Sequence, residues 1–367
     1  MKQSFKAAIG FVLLLASFLY VGSCVFASDT SYLPNEGIRK VDSAVLSFLQ
    51  HSAIEITSNA DFAAQGWDGL GTPEYPYQID GLLITTQVNG ACIRIVNTDV
   101  NFEITNCILN PPSPSYGAVH FESVTNGVID NCAIGESALG IWIFQSNLIN
   151  VTRTSCSSSG ISIDTSNYVF VADSAAQNSP GDGISLTQTS SSVVSSNFVI
   201  GCVSNGIYAG IFSDDNYFLG NDVRSCTDNQ IFLDSTCSNN CVYGNNLWAG
   251  GNCARDDGSS NSWDDAINLG NGYSDYSGSG PYTIPGSAGS IDHYPRLAST
   301  TQPTSSSSST TTTTSTTTVT VLENRTFTLD LTQPLPLEIR YVYAALYLSA
   351  SFVIAALFLA KIWRSKQ

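Results

Sequence analysis

Between residues 140 and 246, apolar and polar positions alternate in short bursts that return at a fixed period. The bursts GIWIF, GISID, GISLT, GIYAG and QIFLD begin at Gly140, Gly160, Gly183, Gly206 and Gln230, an interval of 20 to 24 residues. Four residues before each of the last four starts stands Cys156, Ser179, Cys202 or Cys226, a second marker in the same register. Strict alternation predicts strands with one buried face. Ile141, Ile161, Ile184, Ile207 and Ile231 then form one inward column, and Ile143, Ile163, Leu186, Ala209 and Leu233 a second. No helical period intervenes, and Asn, Gly and Ser hold the corners. Aliphatic columns at this period predict an all-β right-handed parallel β-helix, a solenoid of 20–24-residue coils. Asn106-Cys107 and Asn131-Cys132 mark the same corner upstream, with Gly117 a weaker start. About seven coils from Val88 onward would make a rod on the order of 34 Å long. Pro111, Pro112 and Pro114 predict a loop extruded from the first coil.

The flanks carry different patterns. Lys2 and Lys6 precede an apolar run at 7–21 and a small-residue site at 25–27, so residues 1–27 read as a secretory signal peptide. The alternative is a lipid-bearing Cys24 in a loose lipoprotein box. Residues 28–66 read as an N-terminal helix and cap. Ile38, Val41, Ala44, Val45, Phe48 and Leu49 have helical spacing and would cover the open end of the first coil. The β-helix is expected over 67–255 and a C-terminal cap, with no surviving coil period, over 256–298. Residues 299–320 are almost all Ser and Thr and read as an O-glycosylated stalk, followed by a juxtamembrane segment at 321–340. The charge-free run at 342–360, between Arg340 and Lys361, predicts a transmembrane helix over 341–363 with Tyr341, Tyr343 and Trp363 as interfacial anchors. The basic tail at 364–367 marks the cytoplasmic side. The expected topology is single-pass, with the β-helix outside the cell and its only membrane contact this C-terminal helix.

Charge narrows the partners. Residues 29–340 hold all 30 acidic side chains and nine of the 14 basic ones. Such a surface repels nucleic acid and anionic membranes and leaves cations, neutral glycans or basic proteins as partners. Of ten cysteines, Cys107, Cys132, Cys156, Cys202 and Cys226 recur at one corner, either as stacked free thiols or as vertical disulfides. Cys237, Cys241 and Cys253 fall outside that register and are candidates for a disulfide clipping the cap. His51, His120 and His293 are isolated, and the sole Met is the initiator.

Candidate chemistry lies on the outward positions. Trp142, Tyr208 and Phe232 share a column with Ser162 and Ser185, and aromatic rings on a flat β face suit sugar rings or a protein partner. The next column carries Asp164 and Asp234 three rungs apart, about 14 Å, against the roughly 5–9.5 Å that glycoside hydrolysis needs. Asn97-Thr98-Asp99 and Asp214-Asp215 superficially match two polygalacturonase motifs, but the remaining motifs of that family are missing. No complete catalytic constellation is found. Acidic corners at Asp182, Asp214, Asp215 and Asn216, and at Asp256-Asp257, could supply oxygen ligands to Ca²⁺. Asn150 and Asn324 head glycosylation sequons.

The repeated G-I-x-L-x-x-S/T-x-N coils, Tyr-Ser-Asp-Tyr at 273–276, the closing Gly-Pro-Tyr-Thr-Ile-Pro-Gly…Ile-Asp-His-Tyr-Pro at 280–295 and GWDGLGTPEYPYQIDG at 66–81 resemble the NosD-type β-helix family and archaeal surface proteins with such repeats. The resemblance covers about 56–297 and implies export, the β-helix fold and, by the family label, copper handling. Three functions follow as expectations: a non-enzymatic surface module that binds glycan or protein or builds the envelope; a carbohydrate-active lyase or hydrolase of pectin-lyase-like fold; and a copper-handling protein.

Overall fold

The alternating bursts become strands that pair in parallel in the expected register. β11 (Ile141–Phe144), β14 (Ile161–Asp164), β17 (Ile184–Thr187), β20 (Ile207–Gly210) and β23 (Asn229–Leu233) align Ile141, Ile161, Ile184, Ile207 and Ile231 as consecutive partners. The structure, a computed structural model, describes residues 48–86, 90–111, 117–248 and 250–299. The signal peptide, residues 38–47 of the expected helix, Pro112 and Pro114, nearly all of the stalk, the transmembrane segment, Cys24 and Asn324 lie outside them.

Upstream the same sheet continues through β8 (Val119–Val124), β5 (Ile93–Thr98) and β2 (Ile54–Ile56), and downstream it ends with β26 (Asn252–Asp256), giving nine strands. Two further parallel sheets of eight and eleven strands form the other faces, and each coil visits the three in turn. One coil runs from β11 through β12 (Asn150–Thr152) to β13 (Ser155–Ser157). The rod therefore has about nine turns, roughly 40 Å at one strand spacing per turn. Both inward columns are buried, joined by Ile79, Ile104, Ile129, Val151, Val171, Val194, Phe218 and Val242 from the second sheet. At roughly 1.5–3 kcal/mol for each buried aliphatic side chain, this continuous seam is the main stabilising term.

Two differences from the expected boundaries have backbone causes. Leu49–His51 is a strand, where the apolar spacing predicts the end of a helix. Its Leu49 N–H donates to Gly81 O at 3.0 Å and it pairs with Leu82–Thr85, a ladder that a helix there would leave unmet. Beyond β26, the period does not vanish. Gly272–Tyr273 and Arg296–Leu297 add two more rungs to the eleven-stranded sheet, around an antiparallel hairpin of Tyr282–Thr283 and Ile291–Asp292.

The recurrent corner markers serve space, not turn geometry. Gly160, Gly183 and Gly206 have ordinary φ, yet a Cβ on Gly183 would meet Gly206 O at 2.7 Å and Cys202 Sγ at 2.9 Å. Stacked glycines let each corner close against the Cys or, at Gly160, the Ser side chain of its coil. All nine described cysteines are free, eight of them buried. Burial pushes the Cys156 thiol up to about 12, which keeps it protonated and inert.

Polar side chains at two corners form hydrogen-bonded ladders that all run one way. The N–H of Cys132 donates to Thr154 Oγ1, Thr154 to Ser174 Oγ, Ser174 to Asn197 Oδ1, Asn197 to Asn221 Oδ1, Asn221 to Asn245 Oδ1 and Asn245 to Asn271 Oδ1. Asn271 N–H ends the series on Asp292 Oδ2 at 2.7 Å. A second ladder passes from Val169 through Ser192, Asn216, Asn240 and Asn261 and ends on Asp256. Each coil thus leaves a donor for the next, and buried carboxylates of the cap accept the last ones.

A third acid, Asp264, ties the cap together by accepting from the His293 N–H at 2.9 Å, from its ring Nδ1 at 2.8 Å and from Ala266 N–H at 2.8 Å. Burial works to raise its pKa, but these donors outweigh it and hold the carboxyl below its ordinary range. Because the folded value lies below the unfolded one, the group stabilises the cap at every pH above about 3.9, and that contribution is lost as pH falls through the folded value. The protection of the Ala266 and His293 amides, taken relative to their intrinsic exchange rates, is expected to fall on acidification below about pH 4, while the Ile207–Gly210 amides stay protected. Equal protection at both places under acid would refute it.

Candidate functional site

The outward face of the nine-stranded sheet gathers the residues with most chemistry. Register places Arg94, His120, Trp142, Ser162, Ser185, Tyr208, Phe232 and Arg255 in one column, as period-two alternation requires. The neighbouring column holds Glu122, Phe144, Asp164, Thr187 and Gly210, and Asp234 continues it. All five expected ligand-binding residues, Trp142, Asp164, Tyr208, Phe232 and Asp234, therefore lie on one face.

At the upstream end His120 stacks on Trp142 with ring centroids 4.3 Å apart and planes 9° from parallel. The Trp142 indole N–H donates to Asp164 Oδ2 at 2.7 Å, and Ser162 Oγ donates to the same oxygen at 3.2 Å. Arg94 bridges Glu55 at 3.0 Å and Glu122 at 3.2 Å. Burial, and then the Arg94 charge, hold His120 below the ordinary imidazole value against the opposing pull of Glu122. Its Nε2 is buried without a hydrogen-bond partner.

At the downstream end Tyr208 lies across Gly210, where any Cβ would overlap the phenol ring, and its hydroxyl donates to Asp234 Oδ2 at 3.3 Å. Burial and the Asp234 charge push the phenol pKa up to about 12. Phe232 sits 5.6 Å from Tyr208, and the Arg255 guanidinium lies over Phe232 at 5.3 Å while pairing with Asp257 at 2.8 Å.

Register also shortens one carboxylate separation. Asp257 follows Asp234 on the next rung, about 4.8 Å on, where the column read from sequence gave only Asp164 and Asp234. Burial raises the Asp257 pKa, but donors from Ser287 and Arg255 outweigh it and keep the carboxyl below its usual range. An ionised carboxylate cannot protonate a leaving group, so Asp257 is not set up as the acid that glycoside cleavage needs. The place of Arg94, His120, Glu122, Arg255 and Asp257 on this face escaped the sequence reading, which had His120 only as an isolated histidine and Asp257 only as a corner acid, because their coils lack the regular glycine start. The alternation AVHFE after Gly117 was the available signal for His120 and Glu122.

The acidic corners do not converge. Asn216 is buried inside the second ladder, accepting from Ser192 and donating to Thr189 O at 2.8 Å, which corrects its place among the calcium candidates. Asp214 accepts the Ser238 N–H at 2.6 Å and its hydroxyl at 2.8 Å, Asp215 is exposed in a left-handed turn, and Asp182 accepts from Asn205 at the opposite end of the strands. No group of three or more His, Cys, Asp and Glu side chains that could hold a metal ion occurs among the described residues. Cys237, Cys241 and Cys253 stand unbridged, with Cys253 Sγ directed at Leu247 O and Ser274 Oγ. Asn150 is exposed on the second sheet.

A family model described as "Right handed beta helix region" matches residues 91–247. Among solved structures, the Dettilon tailspike protein is 12% identical over 62% of this chain and 55% of its own length, with a TM-score of 0.33. A variant of the periplasmic alginate epimerase AlgG is 12% identical over 63% and 56%, with a TM-score of 0.34. An alginate lyase from Paenibacillus sp. is 10% identical over 67% of this chain and 99% of its own, with a TM-score of 0.30. The chain thus spans little more than half the length of the first two, and scores at this level assign it no substrate or activity. No curated protein matches the chain. Strand order, register and the family match agree on one architecture: residues 91–247 are a right-handed β-helix region, continued at both ends by further coils of the same parallel solenoid.

Proposed function

We propose that this protein is a non-enzymatic surface module that binds a glycan along the outward face of its nine-stranded sheet. The carrying observation is the half-buried ladder of rings and carboxylates: Trp142 fixed by Asp164 and His120 at one end, Tyr208 and Phe232 beside Asp234 at the other. Fixed rings offer flat apolar area at little entropic cost, and adjacent carboxylates accept sugar hydroxyls. In this reading the Ser/Thr tract and the apolar run at 341–363 hold the module outside the cell on a stalk.

Trp142→Ala in the full-length protein is expected to weaken the tightest ligand found on a broad glycan array by about tenfold, roughly 1.4 kcal/mol. Unchanged affinity, or no glycan bound at all, would overturn the reading.

A further inference from the structure

One corner of the rod departs from its neighbours beside the downstream end of this face. At or next to the ends of five consecutive strands of the nine-stranded sheet, from Ile93–Thr98 to Ile184–Thr187, one residue adopts a left-handed conformation: Asn97, Ser123, Gln145, Thr165 and Gln188 have φ between 48° and 56°. All five are polar. On the Tyr208 coil the same place is taken by Ile211, φ 49°, followed by Phe212, φ 59°. Gln188 N–H donates to Ile211 O at 2.9 Å, and the next ladder step joins Thr189 N–H to Ser213 Oγ, so one residue is inserted here. Thr165 is β-branched too, but only here do two consecutive bulky apolar residues take left-handed φ, storing strain that Asn or Gly would avoid. Both side chains nevertheless face solvent, Ile211 at 48% and Phe212 at 63% exposure. Leu148 and Tyr168 are also left-handed and exposed, but singly; the consecutive pair at a bulge beside a ring platform sets this corner apart and points to a functional constraint.

Charge on the face decides what the constraint serves. Glu55, Glu122, Asp164, Asp234 and Asp257 face only two guanidiniums, Arg94 and Arg255, and each of these is already paired. Among the described residues Asp164 and Asp234 have no cationic partner. Thr236 occupies Asp234 Oδ1, through its N–H at 2.8 Å and its hydroxyl at 2.7 Å, whereas Oδ2 holds only the long bond from Tyr208. The neighbouring ring, Phe232, already carries a cation, the Arg255 guanidinium. A uronate polymer would meet repulsion here, while an ammonium would meet a carboxylate oxygen beside an aromatic ring.

We propose that the Ile211-Phe212 turn, the flat Tyr208 ring and Asp234 Oδ2 form a subsite for a protonated amino sugar. The proposal rests on the glycan reading above and adds its class and position. Phe212 walls the subsite and packs on the apolar face of the sugar, Tyr208 supports the ring, and Asp234 receives the amine.

The test titrates full-length protein with glucosamine hexamer, its N-acetylated form, galacturonate hexamer and oligolysine of matched charge. Glucosamine hexamer is expected to bind at least about tenfold tighter than either other sugar, and Phe212→Ala to remove most of that difference. Ile211→Asn is expected to weaken the same ligand while raising Tm by about 2–4 °C, because strain is released. Equal affinity for the amine and acetylated hexamers, or no effect of Phe212→Ala, overturns the subsite. If in that case the acetylated hexamer still binds and Trp142→Ala weakens its binding about tenfold, the glycan reading survives alone. If no sugar binds, both fall. Oligolysine binding with the same Phe212 dependence, without glucosamine binding, assigns the turn to a basic peptide and overturns the proposal.

Discussion

Asn221→Leu should lower the unfolding free energy by about 2–6 kcal/mol, although it adds no heavy atom and touches no surface. Asn221 is fully buried at a corner of the rod. Its Oδ1 accepts from both the Asn197 N–H and the Asn197 side-chain amide at 3.0 Å, and its Nδ2 donates to Val194 O and Asn245 Oδ1 at 2.9 Å. A leucine strands the Asn197 N–H and one hydrogen of its amide in a dry interior, at about 1–3 kcal/mol each. The effect is asymmetric, since the Asn245 oxygen keeps the backbone N–H of residue 221. Urea denaturation followed by far-UV circular dichroism reads the change, with Ser157→Ala, an exposed position on the same rod, expected within about 0.5 kcal/mol of wild type. Equal midpoints for N221L and wild type would show that the ladder contributes nothing.

Asp256→Ala should open the C-terminal cap at a cost of about 3–5 kcal/mol. This buried carboxylate accepts from Trp263 Nε1 at 2.8 Å, Ser290 Oγ at 2.7 Å, and Gly258 N–H and Asn261 Nδ2 at 2.9 Å. One side chain therefore joins the last strand of the nine-stranded sheet to three segments of the cap. Its removal leaves four donors without an acceptor, and the damage is local because nothing upstream is touched. Trp263, now buried, should shift its emission to the red, and limited proteolysis should cut within 257–291 while the preceding coils resist. Asp256→Asn, which keeps acceptor oxygen but no charge, should fall between the two. A protease pattern identical to wild type would remove Asp256 from this role.

The coils were legible where one residue type recurs at one structural place. Ile at the inward positions and Gly at the crowded corner come from burial and from close backbone approach, both of which restrict the choice of residue sharply. Legibility failed where the same residue type serves opposite ends. Asn216 beside Asp214-Asp215 reads as a solvated acidic turn, yet its neighbours in space are Ser192 and Asn240, one coil away on either side. Leu49 reads as helical because it closes a run of six apolar residues at helical spacing over 38–49, and the free ladder beside Gly81 decides the outcome. Of the candidate site, the aromatic residues and Asp164 and Asp234 were readable from alternation alone. The upstream half was not, since Arg94 and His120 stand in coils whose glycine markers are missing. Nor could the meaning of Ile211-Phe212 be read, because φ does not appear in a sequence.

The one-way ladders carry a consequence for biogenesis. A chain made from its N-terminus exposes each finished coil with donors still reaching forward, and only the coil not yet synthesised can meet them. The growing tip is thus always unsaturated, and saturation arrives with Asp256 and Asp292, near the end of the described rod. A ribosome stalled or a chain truncated before them would release a solenoid whose open end is a template for the next compatible strand, its own or another molecule's.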